Sequence, residues 1–127
     1  MKYVCLVYAD EAALSVIDDA ECKAFGDSLF EQRVRLGGEA LHPVATATTV
    51  RVRNGAVSVT DGPFAETKEQ LAGFYLIEAR DLNHAIRIAS QIPPARVGSI
   101  EVRPVRELQV SDAAPVEAAT DETADSG

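Results

Sequence analysis

The amino-acid sequence predicts an α+β domain of the ferredoxin-like βαββαβ type with an inserted β-hairpin. Three observations carry this. Strand-like and helix-like segments alternate in the order strand, helix, hairpin, strand, helix, strand. Asn54-Gly55 stands between two alternating runs, the strongest short hairpin signal. Between Val59 and Glu78 a sharp Asp61-Gly62-Pro63 corner gives way to an aromatic and aliphatic run, Leu71 to Ile77, suited to a buried strand.

Lys2 to Tyr8 is almost continuously apolar, as in a strand covered on both faces, and is expected to be central. Asp10 to Ile17 reads as a connector. Asp18 followed by Glu21 has the form of a capping box opening a helix, with Cys22, Phe25, Leu29 and Leu36 on one face and Arg35 among the polar positions. Gly37-Gly38 is expected to end that helix, Gly37 taking the left-handed position. Gly26 inside it costs about 1 kcal/mol relative to Ala, which calls for a packing reason.

Thr49–Arg53 and Ala56–Thr60 should pair across Asn54-Gly55, with Val50 and Val52 on one face and Arg51 and Arg53 on the other, as in a half-exposed ribbon. Ala65 to Gln70 are mostly helix formers, enough for one or two turns. Asp81 caps a second helix whose stripe is Leu82, Ala85, Ile86, Ala89 and Ile92, with His84 facing solvent and Pro93-Pro94 as its stop. Ser99 to Val105 alternates as a strand, and Pro104 places it at an edge or a strand end.

The chain has 127 residues, 46% of them apolar, enough for one domain with a core that needs neither disulfide nor metal. The formal charge is −8, and Asp112, Glu117, Asp121, Glu122 and Asp125 account for much of it, leaving about −3 elsewhere. Neither balance suits phosphate-backbone binding, so direct nucleic-acid recognition is not expected. No membrane span and no signal peptide are read, and the cytoplasm is the expected compartment. Cys5 and Cys22 lack metal-ligand spacing and read as free thiols. No metal or cofactor is expected. Residues 1–110 are taken as the domain and 111–127 as an acidic tail expected to be disordered.

Two helices cover one face of such a sheet. Phe74 to Ile77 indicate that its other face is apolar too, so a homodimer stacked through that face is expected.

The run Asp61-Gly62-Pro63-Phe64-Ala65-Glu66-Thr67-Lys68-Glu69-Gln70-Leu71, with Gly73 to Glu78, Ile92-Pro93, Ala95-Arg96 and Ile100 to Val105, resembles the YCII-related family in its DGPF-domain branch. The resemblance implies a dimeric α/β barrel in bacteria, with relatives encoded beside or fused to extracytoplasmic-function sigma factors. Some relatives carry a proposed catalytic His-Asp pair; neither His42 nor His84 aligns clearly with that histidine.

Two roles are open to Asp61: a carboxylate acting as general base at a barrel mouth, or a turn-former satisfying nearby amides. His42 is the alternative base. Glu66 and Lys68 form either a pocket rim or a solvated turn. Arg96 either grips a ligand's carboxylate or phosphate, or pairs with Glu101 or Glu66. Glu101 and Arg103 share a strand face and line the barrel or an edge, and Tyr8 presents its hydroxyl to a cavity or fills the core. The leading expectation is a cofactor-independent barrel binding a small organic ligand near Asp61 and Arg96, with acid–base chemistry. The alternative is a non-catalytic regulatory or interaction module working with a sigma factor.

Overall fold

The computed structural model describes residues 1–110, and the acidic tail, 111–127, lies outside them. Strand β1 (Lys2–Ala9) is followed by a short helix α1 (Glu11–Leu14), helix α2 (Asp19–Glu31), strand β2 (Arg35–Ala40), the hairpin β3 (Thr48–Arg53) and β4 (Ala56–Asp61), strand β5 (Gln70–Glu78), helix α3 (Leu82–Ala89) and strand β6 (Ser99–Pro104). Four strands form an antiparallel sheet in the order β2-β5-β1-β6, while β3 and β4 pair, among the described residues, only with each other. With the hairpin set aside, this is the ferredoxin-like arrangement, and β1 is central as its composition requires.

The core lies between the sheet and its helices. Tyr3, Cys5 and Val7 of β1 and Ile77 of β5 meet Leu29 of α2 and Ala85, Ile88 and Ala89 of α3. Cys5 and Ile77 are fully buried. The buried stripe of α3 is thus Ala85, Ile88 and Ala89, continued by Ile92, whereas Leu82 and Ile86 are about half exposed. Asp81 caps α3 by accepting from the His84 amide, and His84 Nδ1 accepts in return from the Arg80 amide, 3.0 Å away. Serving as acceptor requires the neutral ring, and desolvation, with Arg80 and Arg87 nearby, lowers the His84 pKa.

Three expectations are corrected. Helix α2 stops at Glu31 rather than at Gly37. Arg33 takes the left-handed conformation (φ 63°), its amide bonds to Phe30 O, and the Val34 amide bonds to Leu29 O at 2.9 Å, which is the Schellman pattern. Gly37 and Gly38 therefore lie in strand β2; Gly38 has φ 150°, and a Cβ there would sit 2.6 Å from Phe74 O. Second, Ala65 to Glu69 form no helix. Thr67 instead turns the chain on itself, its hydroxyl donating to Glu69 O while its carbonyl accepts from Gln70 Nε2. Third, Asp10 to Ile17 contains α1, capped by Asp10 accepting from the Ala12 amide at 2.8 Å.

The hairpin turns at Asn54 (φ 52°) and Gly55 (φ 78°), both positive as a type I′ turn demands. Val50 pairs with Val59 and Val52 with Val57 on one face. All four are 58–67% exposed in the single chain, so the ribbon's apolar side is uncovered.

Candidate functional site

The residues singled out in the sequence are spread over three surfaces. Asp61 ends β4 opposite Thr48, on the same hairpin face as the valines; it is exposed, and among the described residues its carboxylate accepts no hydrogen bond. The adjoining corner is held without it: Gly62 N donates to Ala47 O, Thr49 Oγ1 donates to Gly62 O, and Arg51 lies over the Phe64 ring, 5.5 Å from its centroid. Glu66 and Lys68 are exposed on the following loop, whose tie to β6 is instead Ser99 Oγ donating to Glu69 Oε1 at 2.7 Å.

Glu101 and Arg103 sit on the outer face of the edge strand β6, 4.0 Å apart, while Tyr8 is half buried on the helix-free face of the sheet. Arg96 pairs with neither Glu101 nor Glu66. Its guanidinium grips Glu21 through two hydrogen bonds of 2.7 and 2.9 Å, fastening the first turn of α2 to the Pro93–Arg96 segment. Glu21 is thus drawn out of the expected capping box, and Asp18 alone caps α2, accepting from the Ala20 amide. The bonds from Arg96 hold the Glu21 carboxyl below its ordinary pKa and raise that of Arg96.

A groove lies elsewhere, between α1, α2 and β2. Its inner part is a cleft of about 400 Å³ with Val7, Ile17, Cys22, Gly26, Arg35 and Tyr75 in its wall. Its outer part, a recess of about 640 Å³, includes Glu11, His42 and Gln70. Leu14, Ile17, Asp19, Leu41 and Ala72 border both, so the two are continuous. Of the expected site residues, His42 alone borders this groove; Asp61 and Arg96 line neither part.

Arg35 begins β2 opposite Ile77, which turns its side chain under α2. There Nη2 donates to Gly38 O at 2.9 Å, and Nε is buried without a partner. Gly26 of α2 lies directly over this guanidinium: a Cβ there would come to 3.8 Å from Arg35 Cζ and Nε and from the Tyr75 ring, ordinary contact distances, so crowding at this point does not require the glycine. Phe25 meets Tyr75 edge-on, with ring centroids 5.7 Å apart, and fixes that ring in the wall. Burial raises the Tyr75 hydroxyl and the Cys22 thiol above their ordinary values, so both stay protonated at neutral pH.

Sequence reasoning missed Arg35 because it placed that residue on the polar side of an over-long helix. Period-two reading from Arg35 would have put it inward. Among the described residues the two buried side-chain polar atoms without a partner are Arg35 Nε and Gln70 Oε1, and both belong to residues of this groove.

The YCII-related domain model matches residues 1–109. An uncharacterized protein of Rhizobium meliloti (strain 1021) is 40% identical over 114 residues, covering 83% of this chain and 92% of the relative. Among solved structures, CutA from Xylella fastidiosa aligns with 93% of this chain and 91% of its own at 17% identity and a TM-score of 0.37, too loose a likeness to bear on function or assembly. On the strength of the domain match and of that relative, the chain belongs to the YCII-related family.

Proposed function

We propose that this YCII-related protein binds a small organic ligand in the groove between α1, α2 and β2, without a cofactor. The observation that carries the reading is Arg35, half buried in the wall of the inner cleft and paired with no carboxylate of the described residues. A charged side chain lining a cleft without a counter-charge is costly, and a bound polar molecule offsets that cost. The inner cleft, about 400 Å³, falls within the usual range for small-molecule sites, and its wall mixes apolar side chains with a few polar ones. His42, at the outer end, is the group placed to exchange a proton with a bound molecule, and acid–base chemistry is proposed for it alone.

The working unit in this reading is a cytoplasmic homodimer of residues 1–110. Val4, Leu6, Tyr8, Phe74 and Leu76 are half buried on the helix-free face of the sheet, and a second copy stacked there would bury them further. Among the described residues no helix is long and apolar enough to cross a membrane. A thermal-shift screen of a metabolite library tests the ligand reading. Compounds that raise the melting temperature of the wild type and not of Gly26→Leu, which fills the inner cleft, support it; a library without effect on the wild type rejects it. Sedimentation tests the dimer, which a monomer at micromolar concentration would contradict.

A second reading, an interaction module whose partner is a sigma factor, draws support from the uncovered valine face of the hairpin. Substituting Val57 and Val59 by Ser and measuring sigma-factor binding directly distinguishes it.

A further inference from the structure

Resting on the ligand reading above, we propose that the groove selects a small monocarboxylate, with Arg35 as its anchor. Arginine presents five N–H donors in a rigid plane matched to a carboxylate. In this chain the plane is held rather than free. Nη2 is fixed to Gly38 O, Nε lies buried under Gly26, and Nη1 is neither buried nor bonded among the described residues. Nor does any carboxylate of the described residues pair with Arg35. A guanidinium kept in a cleft without a counter-charge is costly, and a ligand carboxylate docking on the Nη1 side supplies that charge.

The other charges along the cleft sharpen the choice. Lys23 is already paired with Asp27 at 2.8 Å, the Glu39 side chain falls on the opposite face of the sheet by its register with Phe74, and exposed Asp19 stands at the rim. One unmatched cation inside, with Asp19 at the rim and Glu11 and Asp18 along the outer recess, favours a single negative charge and opposes a second. The rest of the ligand meets Val7, Leu14, Ile17 and Tyr75, so its body is apolar or aromatic. The protonated Tyr75 hydroxyl is a hydrogen-bond donor available to it.

The test is an NMR titration of the full-length protein with benzoate and hexanoate and, in parallel, with benzamide and hexanamide, read at the Gly38, Tyr75 and Gly26 amides. The acids are expected to bind at least 10-fold more tightly than the amides, and Arg35→Lys, which keeps the charge but loses the planar fork, to remove most of that preference. Equal binding of acids and amides at these amides overturns the carboxylate selection while leaving the ligand groove standing. The absence of shifts from all four probes overturns the groove as well. Arg35→Met should abolish acid binding with an unchanged circular dichroism spectrum; should it fail to fold, Arg35→Lys and the acid-to-amide ratio of the wild type still decide.

Discussion

Val7 of β1 and Val57 of β4 are both valines within antiparallel strands, yet Val7 is 3% exposed and Val57 is 67% exposed. In the four-stranded sheet, strands distant in sequence pair beneath two helices, and their inward side chains make the core. In the hairpin, Asn54-Gly55 joins neighbours in sequence, and among the described residues nothing covers the result. Strand-forming residues specify pairing; coverage has to come from elsewhere.

The sharpest way to break this contrast is to truncate one side chain in each region. Ile77→Ala should cost about 2–5 kcal/mol in chemical denaturation, through lost transfer energy and the cavity left in the core. Val57→Ala should cost less than about 1 kcal/mol in the isolated chain. A Val57 cost that is larger and rises with protein concentration would show that a second copy covers the hairpin.

Backbone positions come next. Gly38→Ala should destabilise by about 1–3 kcal/mol, because the new methyl meets the Phe74 carbonyl and the residue holds a positive φ. Arg33→Gly should stabilise by up to about 1 kcal/mol by relieving a left-handed non-glycine residue at the end of α2. Both are read from urea midpoints.

A smaller effect is pH-dependent. Since Arg96 lowers the Glu21 pKa in the folded state, the pair contributes stability that is present above the unfolded carboxylate's range and lost as the pH falls through the lowered folded value. Glu21→Gln should flatten that part of the acid branch of a melting-temperature profile. Smaller still is the thiol contrast: burial lifts Cys5 to about 11, so it should resist alkylation in the native protein at neutral pH while Cys22, only partly buried, reacts slowly.

Much of the fold was legible because its signals are local. Asn54-Gly55, the Asp81 cap and the apolar runs of β1 and β5 each state their structure within a few residues. The end of α2 was not legible, because a left-handed Arg33 closes the helix where a glycine was awaited and Gly37-Gly38, the apparent stop, serves in a strand. That single misplacement also hid the groove, since it put Arg35 on a helix surface instead of under one. Asp61 drew attention through its dense surroundings, but those residues shape a corner whose bonds run through Thr49, Ala47 and Gly62. Arg96 was chosen for its chemistry, and only the three-dimensional approach of Glu21 names its partner.

The most direct test of the proposed ligand groove uses Cys22, which lines the inner cleft, as a reporter of occupancy. Its alkylation rate is measured with and without benzoate in the wild type, in Arg35→Lys and in Asp61→Asn. Slowing by benzoate in the wild type and in Asp61→Asn, with little slowing in Arg35→Lys, is the predicted result; protection that survives in Arg35→Lys and disappears in Asp61→Asn would contradict it.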